Sequence, residues 1–280
     1  MRTLPAAVSP VLAGSGIAAF YDAFAVLLAL LCLGVALALQ VGVNYANDYS
    51  DGVRGTDADR VGPMRLVGSG AASPASVKAA AFAGFAVAAM AGLAIVLLTQ
   101  LWWLLAVGAA AIAAAWFYTG GRRPYGYHGW GEVFVFVFFG LVAVGGTVLV
   151  QLGYTTPATW AAAVAIGTLA CAILVANNLR DLRGDEAAGK RTLATRLGDR
   201  GTRWFFAALI LVSVMSVVVV ALLTTAWALL GLVMLAFLSG PVREVLAGGS
   251  GRALVRVLKL VGLGQLAAAL GMAVGLVVGG

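Results

Sequence analysis

The chain alternates long apolar runs with short polar breaks, and the spacing of those breaks predicts its architecture. The run from Phe82 to Tyr118 is too long for one membrane-crossing helix of about 20 residues, but it suits two joined by a turn near Gln100. Trp204 to Val242 divides in the same way at Thr224 and Thr225, Glu132 to Asn178 divides between Gln151 and Pro157, and the N-terminal run breaks at Tyr21 and Asp22. These breaks predict helices over 4–20, 23–46, 79–99, 102–119, 132–151, 159–178, 204–223, 226–242 and 257–277. The expected fold class is therefore all-α, a polytopic membrane helix bundle of about nine transmembrane helices forming a single domain over residues 1–280.

Charge sharpens this picture. All 18 Lys and Arg fall at Arg2, Arg54 to Lys78, Arg122 and Arg123, Arg180 to Arg203, Arg243, and Arg252 to Lys259. With the predicted spans, every one of them lies on one side, and the opposite turns carry Asp22 alone. The positive-inside bias then puts the N-terminus and the charged loops in the cytoplasm, with the chain in the inner (plasma) membrane. A composition of 62% hydrophobic and 10% charged residues excludes an ordinary soluble domain. The net charge of +7 is explained by the same topological bias and calls for no nucleic acid. Arg2 followed by an apolar run resembles a signal peptide, yet Pro5, Pro10 and the spans that follow favour a retained first helix. Cys32 and Cys171 lie inside spans without paired spacing, which points to packing rather than a disulfide.

With spans almost free of charge, chemistry is expected in the two acidic loops, 44–78 and 177–203. The first opens N-Y-A-N-D-Y-S-D-G, placing Asn44, Asp48 and Asp51 at i, i+4 and i+7 on one helix face; Asp57, Asp59 and Arg60 follow the breaks at Gly52 and Gly55. The second places Asn177, Asp181 and Asp185 at i, i+4 and i+8. Carboxylates crowded at the ends of apolar helices repel one another unless a cation is present. Hard oxygen donors without His or Cys select Mg²⁺, Mn²⁺ or Ca²⁺. Interleaving with Arg60, Arg180, Lys190 and Arg191 suits a Mg²⁺-diphosphate, whose leaving-group charge both kinds of cation stabilise. The carbocation left by an allylic diphosphate needs an apolar chamber that excludes water, which a helix bundle provides.

Between the loops lie Tyr118, Tyr125, Tyr127 and Trp130 around Gly120 and Gly121. These rings read equally as an interfacial belt and as a wall for an aromatic acceptor or a cation. Arg122 and Arg123 could pair with an acceptor carboxylate or serve topology alone, and His128, the only histidine, reads as a solvated loop residue.

Three blocks resemble the UbiA superfamily of intramembrane prenyltransferases: Asn44 to Leu66, Tyr118 to Glu132, and Asn177 to Gly198. Within it, the chain is most similar to the MenA branch, which prenylates 1,4-dihydroxy-2-naphthoate in menaquinone synthesis. The resemblance covers nearly the full length and implies a nine-helix bundle around a central cavity, with acidic segments capping the second and sixth helices. It implies a metal set of Asn44, Asp48, Asp51, Asp57, Asn177, Asp181 and Asp185 for Mg²⁺, with Asp48, Asp181, Arg60 and Lys190 as catalytic residues. The implied substrate-binding residues are Asn44, Arg60, Tyr118, Arg122, Arg123, Tyr125, Asn178, Arg180 and Lys190. The partners implied are a polyprenyl diphosphate and 1,4-dihydroxy-2-naphthoate, joined with decarboxylation to give demethylmenaquinone. The branch usually carries Asp where this chain has Glu132, which leaves that carboxylate outside the metal set. Hydroxybenzoate, homogentisate, haem or a glyceryl phosphate are alternative acceptors that share the acidic loops. A CDP-alcohol phosphotransferase motif fits Asp48 to Gly52 but fails at Gly55 and Thr56, and a transporter would place ionisable groups near mid-membrane.

Overall fold

The computed structural model describes residues 4–55 and 65–280, and every regular element among them is helical. In chain order, α1 spans Leu4–Phe20, α2 Val26–Arg54, α3 Pro74–Thr99, α4 Leu104–Phe117, α5 Gly131–Leu152, α6 Pro157–Ala187, α7 Leu193–Leu223, α8 Ala226–Leu246 and α9 Arg252–Gly279. Seven of these are long and apolar enough to cross a membrane, while α1 and α4 are shorter apolar helices. The hairpin breaks fall where the polar residues stand. Gln100 adopts φ +58° to cap α3, and Pro157 starts α6 behind a Thr156–Thr159 capping box.

Several helices depart from the expected bounds: α3 begins at Pro74 rather than 79 and α9 at Arg252 rather than 257, and the departures that bear on the site are in α2, α6 and α7. Helix α2 continues from the expected 46 to Arg54, α6 from 178 to Ala187, and α7 begins at Leu193 rather than 204. Apolarity ends where the membrane ends, but backbone hydrogen bonding does not, and no proline intervenes. Each acidic cluster therefore rides on a projecting helix end instead of a loop. Helix α2 stops at Gly55, whose φ of +70° is a left-handed conformation that lets its N–H reach the Asp51 and Gly52 carbonyls. In α7 the helix is interrupted at Gly198, at φ +67°. Helix α5 carries a π turn at Phe136–Val142, and α8 opens as a 3₁₀ segment, Ala226–Met234.

Packing is lopsided, and the asymmetry makes the cavity. The most apolar stretch of α6 is 72% buried, against 11% for that of α2. Ile166, Leu169, Ala172 and Val175 of α6 join Ile17, Val148, Phe206, Val217, Met234, Val261 and Met272 in one core drawn from α1, α5, α6, α7, α8 and α9. Polar ties reinforce it: Ser213 Oγ donates to the Ala165 carbonyl at 2.9 Å, and Gln265 Nε2 donates to that of Ile166 at 3.0 Å. Helices α2 and α3, by contrast, meet around a small cluster of Ala46, Ala81 and Phe85, leaving the space between α2, α4, α5 and α6 open.

Small residues set the closest crossings, as they do in lipid, where van der Waals contact must replace the hydrophobic drive between helices. A Cβ on Gly140 of α5 would stand 2.9 Å from Gly167 Cα of α6, and one on Gly271 of α9 would collide with the Leu230 carbonyl of α8. Gly271→Leu is expected to destabilise the bundle by about 1–3 kcal/mol or more through overpacking. A thermal melt in detergent reads this as a lowered Tm; an unchanged Tm would contradict the close α8–α9 crossing.

Candidate functional site

The C-terminal ends of α2 and α6 open into one chamber of about 1370 Å³. Asn44, Asp48 and Asp51 line it from α2; Asn177, Asn178, Arg180, Asp181 and Asp185 line it from α6; Lys190 follows from the turn after α6. Helical spacing explains the convergence, since residues at i, i+4 and i+7 share a face. Two clusters 133 residues apart in sequence, counted from Asp48 to Asp181, thus share one mouth. Beneath it the wall turns apolar, with Leu39, Val43, Ile112, Phe134, Phe138 and Leu174.

Each carboxylate already has donors. Asp48 accepts the backbone N–H of Leu66 at 2.9 Å on Oδ2 and that of Val67 at 3.0 Å on Oδ1. Asp51 accepts the Tyr127 hydroxyl and faces Arg65 at 3.6 Å. Arg180, almost wholly buried, grips Asp181 with two nitrogens, Nε at 2.7 Å, and also donates to Asn177 Oδ1 at 2.8 Å. Lys190 Nζ lies 3.3 Å from Asp185 Oδ1 and 4.5 Å from the centre of the Tyr127 ring. Tyr127 therefore joins the two acidic ends, touching Asp51 of one and the lysine beside Asp185 of the other.

The connection from Tyr118 to Trp130 is bolted to both ends. Arg54 at the tip of α2 donates to the Thr119 and Gly121 carbonyls, and Thr119 Oγ1 donates to Asn47 at 2.8 Å. On the α6 side, Arg191 N–H reaches the Tyr127 carbonyl at 2.8 Å, and Arg196 reaches that of His128 at 2.8 Å. Below, Tyr118 meets Tyr125 edge to face, and Tyr125 stacks on Phe134 with centroids 4.0 Å apart. Tyr125 donates its hydroxyl to the Ala114 carbonyl at 2.8 Å. Burial pushes the Tyr127 phenol up, reinforced by Asp51, so it remains a neutral donor.

Asp57 and Arg60 lie outside the described residues. Arg122 and Arg123 are exposed and stand outside the chamber wall, so the geometry does not bring them to the acceptor space that the sequence reading gave them. His128 is exposed, with Nδ1 2.8 Å from the Pro124 carbonyl. Arg65, which lines the mouth, is not among the residues the sequence singles out, and Tyr127 reads from the sequence as interfacial belt or wall. The sequence also leaves Glu132 without a role: that carboxylate is buried at the start of α5, and its Oε1 accepts the Asn178 amide at 3.0 Å, orienting a chamber residue from behind. Arg65 carried a sequence signal, a cation following the acids; the bridging position of Tyr127 carried none.

Among the described residues, no three Asp, Glu, His or Cys side chains converge closely enough to cage a metal ion alone. The donors are hard oxygens spread over two walls with cations between them, which fits Mg²⁺ sharing its ligands with waters and substrate phosphates. Such a mouth above an apolar chamber suits an amphiphile with an anionic head.

Fold and site define a multi-pass membrane bundle of the intramembrane prenyltransferase class. The chain belongs to the UbiA prenyltransferase family, whose model matches residues 7–263. It is 52% identical over 275 residues to the 1,4-dihydroxy-2-naphthoate octaprenyltransferase of Mycobacterium tuberculosis (strain ATCC 25618 / H37Rv), covering 97% of this chain and 92% of that one. The fold matches the apo structure of a UbiA homologue from Aeropyrum pernix K1 at TM-score 0.74, with 16% identity over 98% of this chain and 97% of that one. It also matches a UbiA homologue from Archaeoglobus fulgidus bound to GPP and Mg²⁺ at TM-score 0.64, with 14% identity over 97% and 96% of the two chains.

Tyr127→Phe keeps the ring under Lys190 but removes the hydroxyl from Asp51. A hydrogen bond to a charged group contributes about 1.5–3 kcal/mol, so prenyl transfer should fall roughly tenfold to a hundredfold in kcat/KM with the bundle intact. Unchanged kinetics would show that Asp51 needs no such donor.

Proposed function

We propose that this chain transfers a polyprenyl group from polyprenyl diphosphate to 1,4-dihydroxy-2-naphthoate, with loss of the acceptor carboxylate as CO₂, to give the quinol form of demethylmenaquinone. The observation that carries the chemistry is the shared chamber: both acidic helix ends open on it, and it is aromatic and apolar below. The acceptor assignment is supported by the likeness to a naphthoate octaprenyltransferase along almost the whole chain. The Mg²⁺ assignment is supported by the donor set and by the fold shared with a homologue bound to GPP and Mg²⁺.

Asn44, Asp48, Asp51, Asn177, Asp181 and Asp185 would hold Mg²⁺, joined by Asp57 from the first loop. When bound, the ion neutralises negative charge on the diphosphate oxygens. Lys190 stands at the chamber mouth beside Asp185, where it can meet a phosphate oxygen; Arg60 is assigned the same task. Arg180 holds Asp181 and Asn177 in position while presenting its own charge to the chamber. As the C1–O bond of the donor breaks, its electron pair leaves with diphosphate, and the faces of Tyr118, Tyr125 and Phe134 stabilise the positive charge left on the prenyl carbon. The apolar wall keeps water from that carbon. Ring carbon then forms the new C–C bond, and the carboxylate departs as CO₂, returning its electron pair to the ring.

The chamber mouth lies at the end of the bundle that carries Arg54, Arg65, Arg180 and Lys190. Positive-inside bias supports a cytoplasmic mouth in the inner membrane.

Purified protein with Mg²⁺ and octaprenyl diphosphate should consume dihydroxynaphthoate and release one CO₂ per product, and EDTA should stop it. A preference for 4-hydroxybenzoate would instead place the chain with another acceptor branch. Asp48→Asn and Asp181→Asn should each lower kcat about a hundredfold or more while the protein still inserts, as expected for electrostatic stabilisation of developing charge. Full turnover by either inserted variant would sink the ligand assignment.

A further inference from the structure

A helix interior tolerates glycine poorly, because glycine surrenders the most backbone freedom on folding. Several helix glycines here are explained by close approach. A Cβ on Gly84 would stand 3.0 Å from Gly42 Cα, and one on Gly231 would stand 2.6 Å from Met272 Cγ. Gly92 of α3, Gly108 of α4 and Gly146 of α5 have no such reason. A Cβ on any of them meets no atom within 4 Å, none has a positive φ, and all three line the chamber.

They also share one depth. Gly92 lies seven residues before the end of α3, Gly108 four after the start of α4, and Gly146 six before the end of α5. At 1.5 Å per residue, each stands about 6–11 Å from the helix ends opposite the acidic mouth. Cys32, six residues into α2, lines the chamber at the same level. From Asp48 to Cys32 the wall runs sixteen residues along α2, or about 24 Å. An aromatic acceptor fits beside Tyr118 and Tyr125 and has no use for that depth. A long apolar tail does.

We propose that Gly92, Gly108 and Gly146 determine which prenyl chain lengths the enzyme accepts, by keeping the far half of the chamber clear for the distal isoprene units. The inference rests on the donor reading above and deepens it. A leucine at any of these positions projects into the cavity far from the diphosphate end, so it obstructs a long tail and leaves a short one untouched.

The test compares geranyl and octaprenyl diphosphate as donors for wild type and for Gly92→Leu, Gly108→Leu and Gly146→Leu, with Mg²⁺ and a fixed acceptor. Octaprenyl transfer should fall about tenfold or more in kcat/KM while geranyl transfer stays within about twofold, which also reports an intact fold. Where a leucine variant does not fold, the alanine variant at that position should move the donor ratio in the same direction. A wild-type donor ratio in all the folded variants would overturn the proposal. Wild type that transfers neither donor would instead overturn the donor reading on which it rests.

Discussion

Everything at this site depends on holding four carboxylates together at one end of a bundle whose apolar spans carry almost no charge. Asp51 and Asp185 occupy the last turns of α2 and α6, where the helix macrodipole is negative and opposes them. Like charges at a helix C-terminus persist only when donors and cations surround them. Here Tyr127 and Arg65 attend Asp51, two backbone N–H groups attend Asp48, Arg180 attends Asp181 and Lys190 attends Asp185. The same cations are positioned for a phosphate, so the groups that make the acidic mouth tolerable are those a diphosphate would meet.

Asymmetric packing provides the space beneath that mouth. Helix α6 is the axis of the core, surrounded by α1, α5, α7 and α9, so its C-terminal end is rigidly placed. Helix α2 gives one flank to α3 and leaves the other to the chamber, so its polar face is free to address a ligand. A uniformly packed bundle would have no room for a substrate. The connection from Tyr118 to Trp130, tied by Arg54 on one side and by Arg191 and Arg196 on the other, keeps the two helix ends in register.

This arrangement divides the labour in a way the UbiA prenyltransferase family would require. On the proposed function, charge would be handled at the surface, where hard donors and water could both reach a metal-diphosphate, and carbon chemistry below, away from water. Glu132 shows how far the polar support extends: it lies outside the chamber wall yet fixes the amide of Asn178, which faces the chamber.

Sequence alone determined the span pattern, the shared face within each acidic cluster and the family resemblance, because hydropathy and helical periodicity are local and can be read within a few turns. It misjudged the ends of α2, α6 and α7, since loss of apolarity marks the membrane boundary and not the end of backbone hydrogen bonding. Only the tertiary structure decided that Asp48 and Asp181 face one chamber, that Tyr127 links their helices, and that Arg122 and Arg123 stand away from it. Those facts depend on how helices far apart in the chain pack together, and no periodicity within one helix encodes its neighbour.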